Sequence, residues 1–413
     1  MRLDACCTLL SGGTPSKANA EFWSGQIPWV SPKDMKTLTL TDAQDHISES
    51  GLRAGSALAP AGAVFIVVRG MILSRDVPVA LAEVPMAFNQ DVKAIIPGDE
   101  LEPEYLLYAL LSSKVRLAQA IGRSAHGTRT LLSDDLESLE IPVPGRDEQR
   151  AIVSAIRAVR RGRSSADRGV KVLRELKQAA MAQLFTRGLH GEAQRDSEIG
   201  SVPNTWDVVP LGSVGRIGNG STPKRTEADY WQDGTHPWLT SGKIHERIIT
   251  NADEFVTDRA ITECHLPIVP AGSLLVAITG QGKTLGNVAL TTFDTSVSQH
   301  LAYCTIERDD VDAQFLRLYL ASRYDYLRGL GQAGGSTKGA LTCGGLKMVP
   351  VPKPPLDEQR EIARALLLIE RKIEHHERRR ALLAELFETL LDDLMTGRRR
   401  VADLTPDTAI AAA

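Results

Sequence analysis

At 413 residues the chain exceeds what one ordinary hydrophobic core fills, so two or three domains are expected. A net charge of -3 excludes a uniformly basic nucleic-acid binder, and any basic footprint must be local. The opening MRLDACCTLL does not read as a secretory leader, and no apolar stretch approaches the roughly 18 residues of a membrane span. Five cysteines without C-x-x-C spacing fit a reducing cytoplasm rather than a zinc site.

The first predicted domain covers 1–146. It opens on a glycine-rich turn, Gly12-Gly13-Thr14-Pro15, followed by Phe22-Trp23, Pro28-Trp29 and Ser31-Pro32-Lys33. Short Val- and Ile-rich runs between Gly and Pro, including Ala63–Val68 after Pro60-Ala61-Gly62, read as strands. From Glu102 to Gln119, Leu and Tyr recur at helical spacing. The domain closes on Asp147-Glu148-Gln149-Arg150, whose carboxylates suit the positive end of a helix.

That helix is predicted over 147–188, with a 4-3 apolar rhythm through Ile152, Ile156, Val159, Arg163, Ala166, Val170, Leu173, Lys177, Ala180 and Leu184. A continuous helix is the favoured reading, with Gly162, Ser164, Ser165 and Gly169 the places where an interruption would fall, since Gly costs about 1 kcal/mol relative to Ala in a helix interior. Residues 189–203, polar with Gly and Ser, read as a linker.

The second domain, 204–356, writes the first again at an offset of about 210 residues. Gly220-Ser221-Thr222-Pro223, Tyr230-Trp231, Pro237-Trp238, Ser241-Gly242-Lys243, Pro270-Ala271-Gly272, Ser298-Gln299 (for Asn89-Gln90) and Phe315-Leu316 (for Tyr105-Leu106) recur in order, and Asp357-Glu358-Gln359-Arg360 closes the copy. One such match is within chance; eight in order are not. A second helix follows over 357–397, with its rhythm through Ile362, Leu366, Ile369, Ile373, His376, Arg380, Leu383, Phe387, Leu390 and Leu394, and then a flexible tail, 398–413. The period of 3.5 predicts that the two helices form an antiparallel coiled coil, each about 57 Å long for about 38 residues.

This organisation resembles the DNA-specificity subunits of type I restriction–modification systems. The resemblance covers nearly the whole chain and rests on Gly-x-Thr-Pro near the start of each half, the aromatic segment after it, and Pro354-Pro355-Leu356-Asp357-Glu358-Gln359 before the second helix. The first copy departs from the last motif, with Pro144-Gly145-Arg146. The resemblance implies mixed α/β target recognition domains that each read half of a split sequence in double-stranded DNA. It implies a helix pair acting as spacer and as docking surface for two methyltransferase subunits, with restriction–translocation subunits joining them. It implies no catalysis by this chain.

Several residues suit such a reader. Lys17, Lys224 and Arg225 follow the Thr-Pro turns, and Lys33 and Lys243 follow the tryptophans; they read as phosphate contacts or as solvated turn cations. Arg69, Gln281 and Lys283 lie just beyond an apolar strand, where they either meet base edges or merely end the strand. Asn89-Gln90 and Ser298-Gln299 are matched positions of differing chemistry, suited to base reading or to turn capping. Thr128-Arg129 and Thr337-Lys338 are matched small-plus-basic loops. Trp23, Trp29, Trp231 and Trp238 read as packing rather than base stacking.

Between Asp147 and Gly191 ten Lys/Arg stand against four Asp/Glu, whereas Asp357 to Arg400 holds ten of each. The cluster Arg157, Arg160, Arg161 is therefore expected at a subunit interface. Gly282-Lys283-Thr284 looks like the end of a P-loop, but position 277 is Ala where the motif needs Gly. No Asn-Pro-Pro-aromatic motif, dinucleotide fingerprint or metal-ligand spacing is found, so no cofactor and no metal are expected. Two rival readings stay open: a duplicated protein-interaction scaffold, and the specificity subunit of a related methylation-based defence system.

Overall fold

Val64–Val67 is buried on both faces because it forms the middle of a five-stranded sheet, where a continuous apolar run is what the position demands. The strand order is Cys7–Ser11, Val92–Pro97, Val64–Val67, Val79–Ala82, Thr39–Leu40, antiparallel except for the last pair. The same order and directions recur in Gly215–Asn219, Leu301–Ile306, Leu274–Ala277, Val288–Thr291, Ile248–Ile249. A smaller sheet carries the tryptophan strand of each copy, Ile27–Val30 in a four-stranded sheet and His236–Leu239 in a three-stranded one.

The computed structural model describes residues 1–123, 128–280, 283–332 and 340–404. It divides into two compact units, Met1–Asp167 with Glu377–Ala413, and Arg168–His376. The fold is mixed α/β with a duplicated domain, as the repeat predicts. In the first unit the sheet packs on Pro103–Ser112, and its core continues into Ile152, Ile156 and Val159 of one long helix and Leu383, Leu390 and Leu394 of the other. In the second unit Ala313–Ser322 takes the equivalent place, and Met181, Phe185, Ile362 and Leu366 complete the core.

The long helices run Arg146–Arg187 and Leu356–Met395. The first is unbroken through Gly162–Gly169, so those residues do not interrupt it. Gly162, Ala166 and Val170, four residues apart, are buried in turn, so packing outweighs poor propensity. Gly169 fits because the partner helix passes so close: a Cβ there would lie 2.7 Å from Nδ1 of His376. In the second unit Gly169 meets His376, Lys177 meets Glu370 and Leu189 meets Glu358, so the helices are antiparallel there. In the first unit Asp167 faces Arg380 at 3.5 Å. Arg163 and Arg380, placed on the predicted seam, are exposed.

Residues 189–203 are not a featureless linker. Gln194–Ser197 and Gly200–Pro203 pair as an antiparallel hairpin, with its charged side chains outward and Val202 buried beside Trp206. Of the predicted tail, Val401 and Leu404 pack on the first unit's core, and 405–413 lie outside the described residues.

The repeated tetrapeptide has a structural purpose. Gln149 is fully buried; its Nε2 donates to the carbonyls of Glu100 and Pro144 at 2.8 Å, and its Oε1 accepts Glu102 N–H at 2.9 Å. Gln359 repeats this with Asp310 O at 3.0 Å, Pro354 O at 2.8 Å and Asp312 N–H at 2.8 Å. Glu358 is also buried and accepts the N–H of Leu189 and the indole N–H of Trp206, both at 2.9 Å.

Further along, each long helix is ion-paired to the domain helix. In the first unit Glu104 pairs with Arg157 and lies 3.9 Å from Arg160, whose Nη1 donates to Tyr108 Oη at 3.0 Å. In the second, buried Arg317 donates to Glu370 Oε2 at 2.7 Å, and Lys177 donates to Oε1 at 2.6 Å. Burial pushes the Glu370 carboxyl up, but Arg317 and Lys177 outweigh it and hold the group below the ordinary glutamate range.

Three outcomes are expected from these contacts. Gln359→Leu strands a buried donor and two carbonyls and should cost about 2–3 kcal/mol, read from urea unfolding. Glu370→Gln leaves Arg317 without its counter-charge and should cost about 3 kcal/mol. Because the folded-state Glu370 is depressed, its contribution is present at neutral pH and disappears as pH falls below about 4.5; the variant should lack that acid-side loss. Gly169→Ala should destabilise by about 1 kcal/mol despite alanine's propensity, and should stabilise instead in a His376→Ala background.

Candidate nucleic-acid interface

The Gly-x-Thr-Pro turns are tight because they approach other backbone too closely for a side chain. A Cβ on Gly12 would meet Phe88 O at 2.3 Å, and one on Gly220 would meet Val297 O at 1.6 Å. The tryptophans brace these turns. Trp29 and Trp238 donate their indole N–H to Gly13 O at 3.0 Å and Ser221 O at 3.2 Å. Trp23 and Trp231 donate to Ser16 O and Lys224 O, both at 3.2 Å, and stack edge-on against the first pair at 5.0 and 5.2 Å. With their polar atoms spent on the turn, these rings belong to the scaffold.

Each turn then presents its threonine to the same partner. Thr14 Oγ1 donates to Gln90 Oε1 at 2.6 Å, and Thr222 Oγ1 donates to Gln299 Oε1. Both glutamines are exposed. The next residues join the end of the central strand: Val68 N–H and Arg69 N–H bond Asp91 O at 2.8 and 3.2 Å, and Ile278 N–H bonds His300 O at 3.0 Å. A third segment closes the group, with Arg69 bridged to Thr130 and Thr279 bridged to Ala340. Gly70 and Gly280 follow at φ 139° and 137°, a conformation that disfavours any other residue.

The sequence-predicted residues divide on this frame. Arg69, Gln90, Arg129 and Thr128 lie on the converging segments of the first unit, and Gln299 and Lys283 on those of the second. Asn89 and Ser298 are buried braces: the Asn89 amide spans the Asp91 backbone and carboxylate at 3.1 and 3.2 Å, and Ser298 Oγ accepts His300 N–H at 3.4 Å. Lys17 and Lys224 are exposed beside the turns, while Lys33 pairs with Asp45 at 2.7 Å. Arg225 pairs with Glu254 and lies 4.0 Å over the Trp231 ring. Lys243 is buried and bonded to Asn251 Oδ1 at 3.0 Å, and the carboxylates of Glu246 at 2.7 Å and Asp253 at 3.0 Å raise its pKa. Gln281, Thr337 and Lys338 lie outside the described residues.

Arg157 and Arg160 are engaged with Glu104 inside the first unit, whereas Arg161 lines a surface cleft beside them. Sequence reasoning did not single out Thr279, whose Oγ1 the fold brings to 2.6 Å from Nδ1 of His300. The signal was present: they occupy the places of Arg69 and Asp91 in the repeat. Among the described residues no group of His, Cys, Asp and Glu is placed to hold a metal, and no helix is long and apolar enough to cross a membrane. All five cysteines are free.

Comparison with known proteins accords with this arrangement. The family model for the type I restriction modification DNA specificity domain matches twice, over residues 1–166 and 203–385. The specificity subunit of the Escherichia coli enzyme EcoR124I/EcoR124II is 39% identical over 147 residues, 35% of this chain and 36% of that protein. The MjaIX specificity subunit of Methanocaldococcus jannaschii is 22% identical over 411 residues, 95% of this chain and 91% of that one. The fold matches the crystal structure of a type I S subunit from M. genitalium at a TM-score of 0.62, with 16% identity, covering 96% of this chain and 95% of the other. A chain solved in work on type I complex assembly matches at 0.55, with 19% identity and 96% coverage of both. With both halves matched by the family model, the chain belongs to the type I restriction–modification DNA specificity family.

Proposed function

We propose that this chain is a non-catalytic DNA reader in which each recognition domain takes one half of a split target. The observation that carries this reading is the pair of matched clusters with unequal chemistry. Thr14–Gln90 and Thr222–Gln299 are the same device, whereas Arg69 is answered by Thr279 and Asp91 by His300. A constant frame with variable polar groups suits the reading of two different half-sites, since base edges are distinguished by donor and acceptor pattern. Arg69 and the glutamines carry the donors and acceptors that suit guanine and adenine, and the lysines beside the turns carry the charge that suits phosphate.

The domains we assign are 1–146 and 204–356, each followed by a long helix. The helices serve as spacer and as docking surface for methyltransferase subunits, to which restriction–translocation subunits join. The chemistry then belongs to those partners, and the site of action is the cytoplasm.

Adenine-methylation sequencing of the host, with and without the gene, tests the reading. Loss of one two-part motif on deletion is expected. In a Thr279→Arg/His300→Asp variant only one half of that motif should change or be lost. An unchanged methylome together with no duplex binding would favour the protein-interaction scaffold instead.

A further inference from the structure

We infer that a cationic cleft in the second unit binds a phosphate-bearing anion. The cleft has a volume of about 730 Å³ and lies where the recognition sheet meets the long helices of that unit. At one wall Glu370 carries a single negative charge against Lys177 and Arg317. Arg247, Lys283 and Arg328 line the remainder, with Asp325 the other carboxylate. Five cations therefore face two carboxylates, in a chain whose net charge is -3. A concave site lined by one sign of charge concentrates the field for a counter-ion.

Three of the cations come from braced segments of the chain. Tyr324 Oη donates to Lys283 O at 3.1 Å and accepts from Arg328 Nη1 at 2.9 Å. Arg247 sits at φ 62°, ψ -49°, a backbone that L-residues rarely adopt. Among the described residues neither Arg247 nor Lys283 has a carboxylate partner, in contrast to Lys33, Arg225 and Lys243.

The first copy builds the same sheet and domain helices without these charges. Leu290 N–H bonds Arg247 O just as Leu81 N–H bonds Leu38 O, so Arg247 stands where the first copy has leucine. Counting from the residues tied by Gln149 and Gln359, Arg317 replaces Leu107 and Arg328 replaces Ala118. Three aliphatic positions of one copy are thus arginines in the other, all on one cleft. Several cations around one concavity suit a compact multiple charge, either a free polyphosphate or successive phosphates of a nucleic-acid backbone. The site differs from a P-loop, since its cations come from separate elements.

The test uses the full-length chain and an Arg247→Gly/Lys283→Gln variant; glycine keeps the positive φ while removing the charge. Sodium tripolyphosphate at fixed ionic strength should raise the wild-type unfolding midpoint by several degrees, with affinity falling about tenfold in the variant. Affinity for a non-target duplex, measured against salt, should lose about 2 from its logarithmic slope in the variant, about one per cation. A tripolyphosphate response alone assigns the free anion, and a slope change alone assigns the DNA backbone. The duplex arm rests on the DNA-reading proposal; the tripolyphosphate arm does not, so the two can fail separately. No response in either arm overturns the inference. So does loss of methyltransferase capture without a phosphate response, which would give the cleft to a protein partner.

Discussion

A primary amide sealed from water has to satisfy two donors and an acceptor, and Gln149 and Gln359 do so with the same three kinds of backbone group. Each side chain joins the start of a long helix to the loop that begins the domain helix. Because consecutive residues of a helix are about 100° apart, fixing one inward position fixes the rotation of all that follow. That phase turns Ile152, Ile156 and Val159 into the first core, and Ile362 and Leu366 into the second. The ion pairs beyond, Glu104 with Arg157 and Glu370 with Arg317, fall in register only because the amide has already set it.

The presumed reading face depends on a similar economy of hydrogen bonds. Indole N–H groups that would otherwise need water are spent on the turns, and the turns in turn hold Thr14 and Thr222 against exposed glutamines. Asn89 and Ser298 tie the adjacent backbone. What remains free to vary is small: the residues at the end of the central strand and the side chain two positions beyond each brace. A rigid frame with few variable groups keeps the cost of ordering low when a ligand binds.

Much of this was legible in the sequence. Repetition exposed the duplicated domain, and the 4-3 rhythm exposed the helices, because burial along one face leaves a periodic trace. The pairing of Arg157 with Glu104 left none, since it joins residues more than fifty positions apart. Lys243 reads as a surface cation until folding brings Glu246 and Asp253 around it. The hairpin at 194–203 was hidden by polar strands anchored only at their end, by buried Val202 and Pro203 beside Trp206. The contacts that keep the helix continuous through Gly162 left no trace either, because propensity is a local quantity and close helix contact is not. Arg163 and Arg380 kept the apolar rhythm on paper while pointing to solvent in the fold.

The two joints between domain and helix are opposite in sign. Position 160 is arginine facing a glutamate of its domain, and the equivalent position 370 is glutamate facing an arginine. A recombination breakpoint placed just before the long helix would set Leu107 against Glu370, leaving that carboxylate without its arginine, or Arg317 against Arg160. Each half is therefore a keyed cartridge whose natural seam lies more than ten residues inside the helix. A graft that carried the helix past that point would bring its own counter-charge with it.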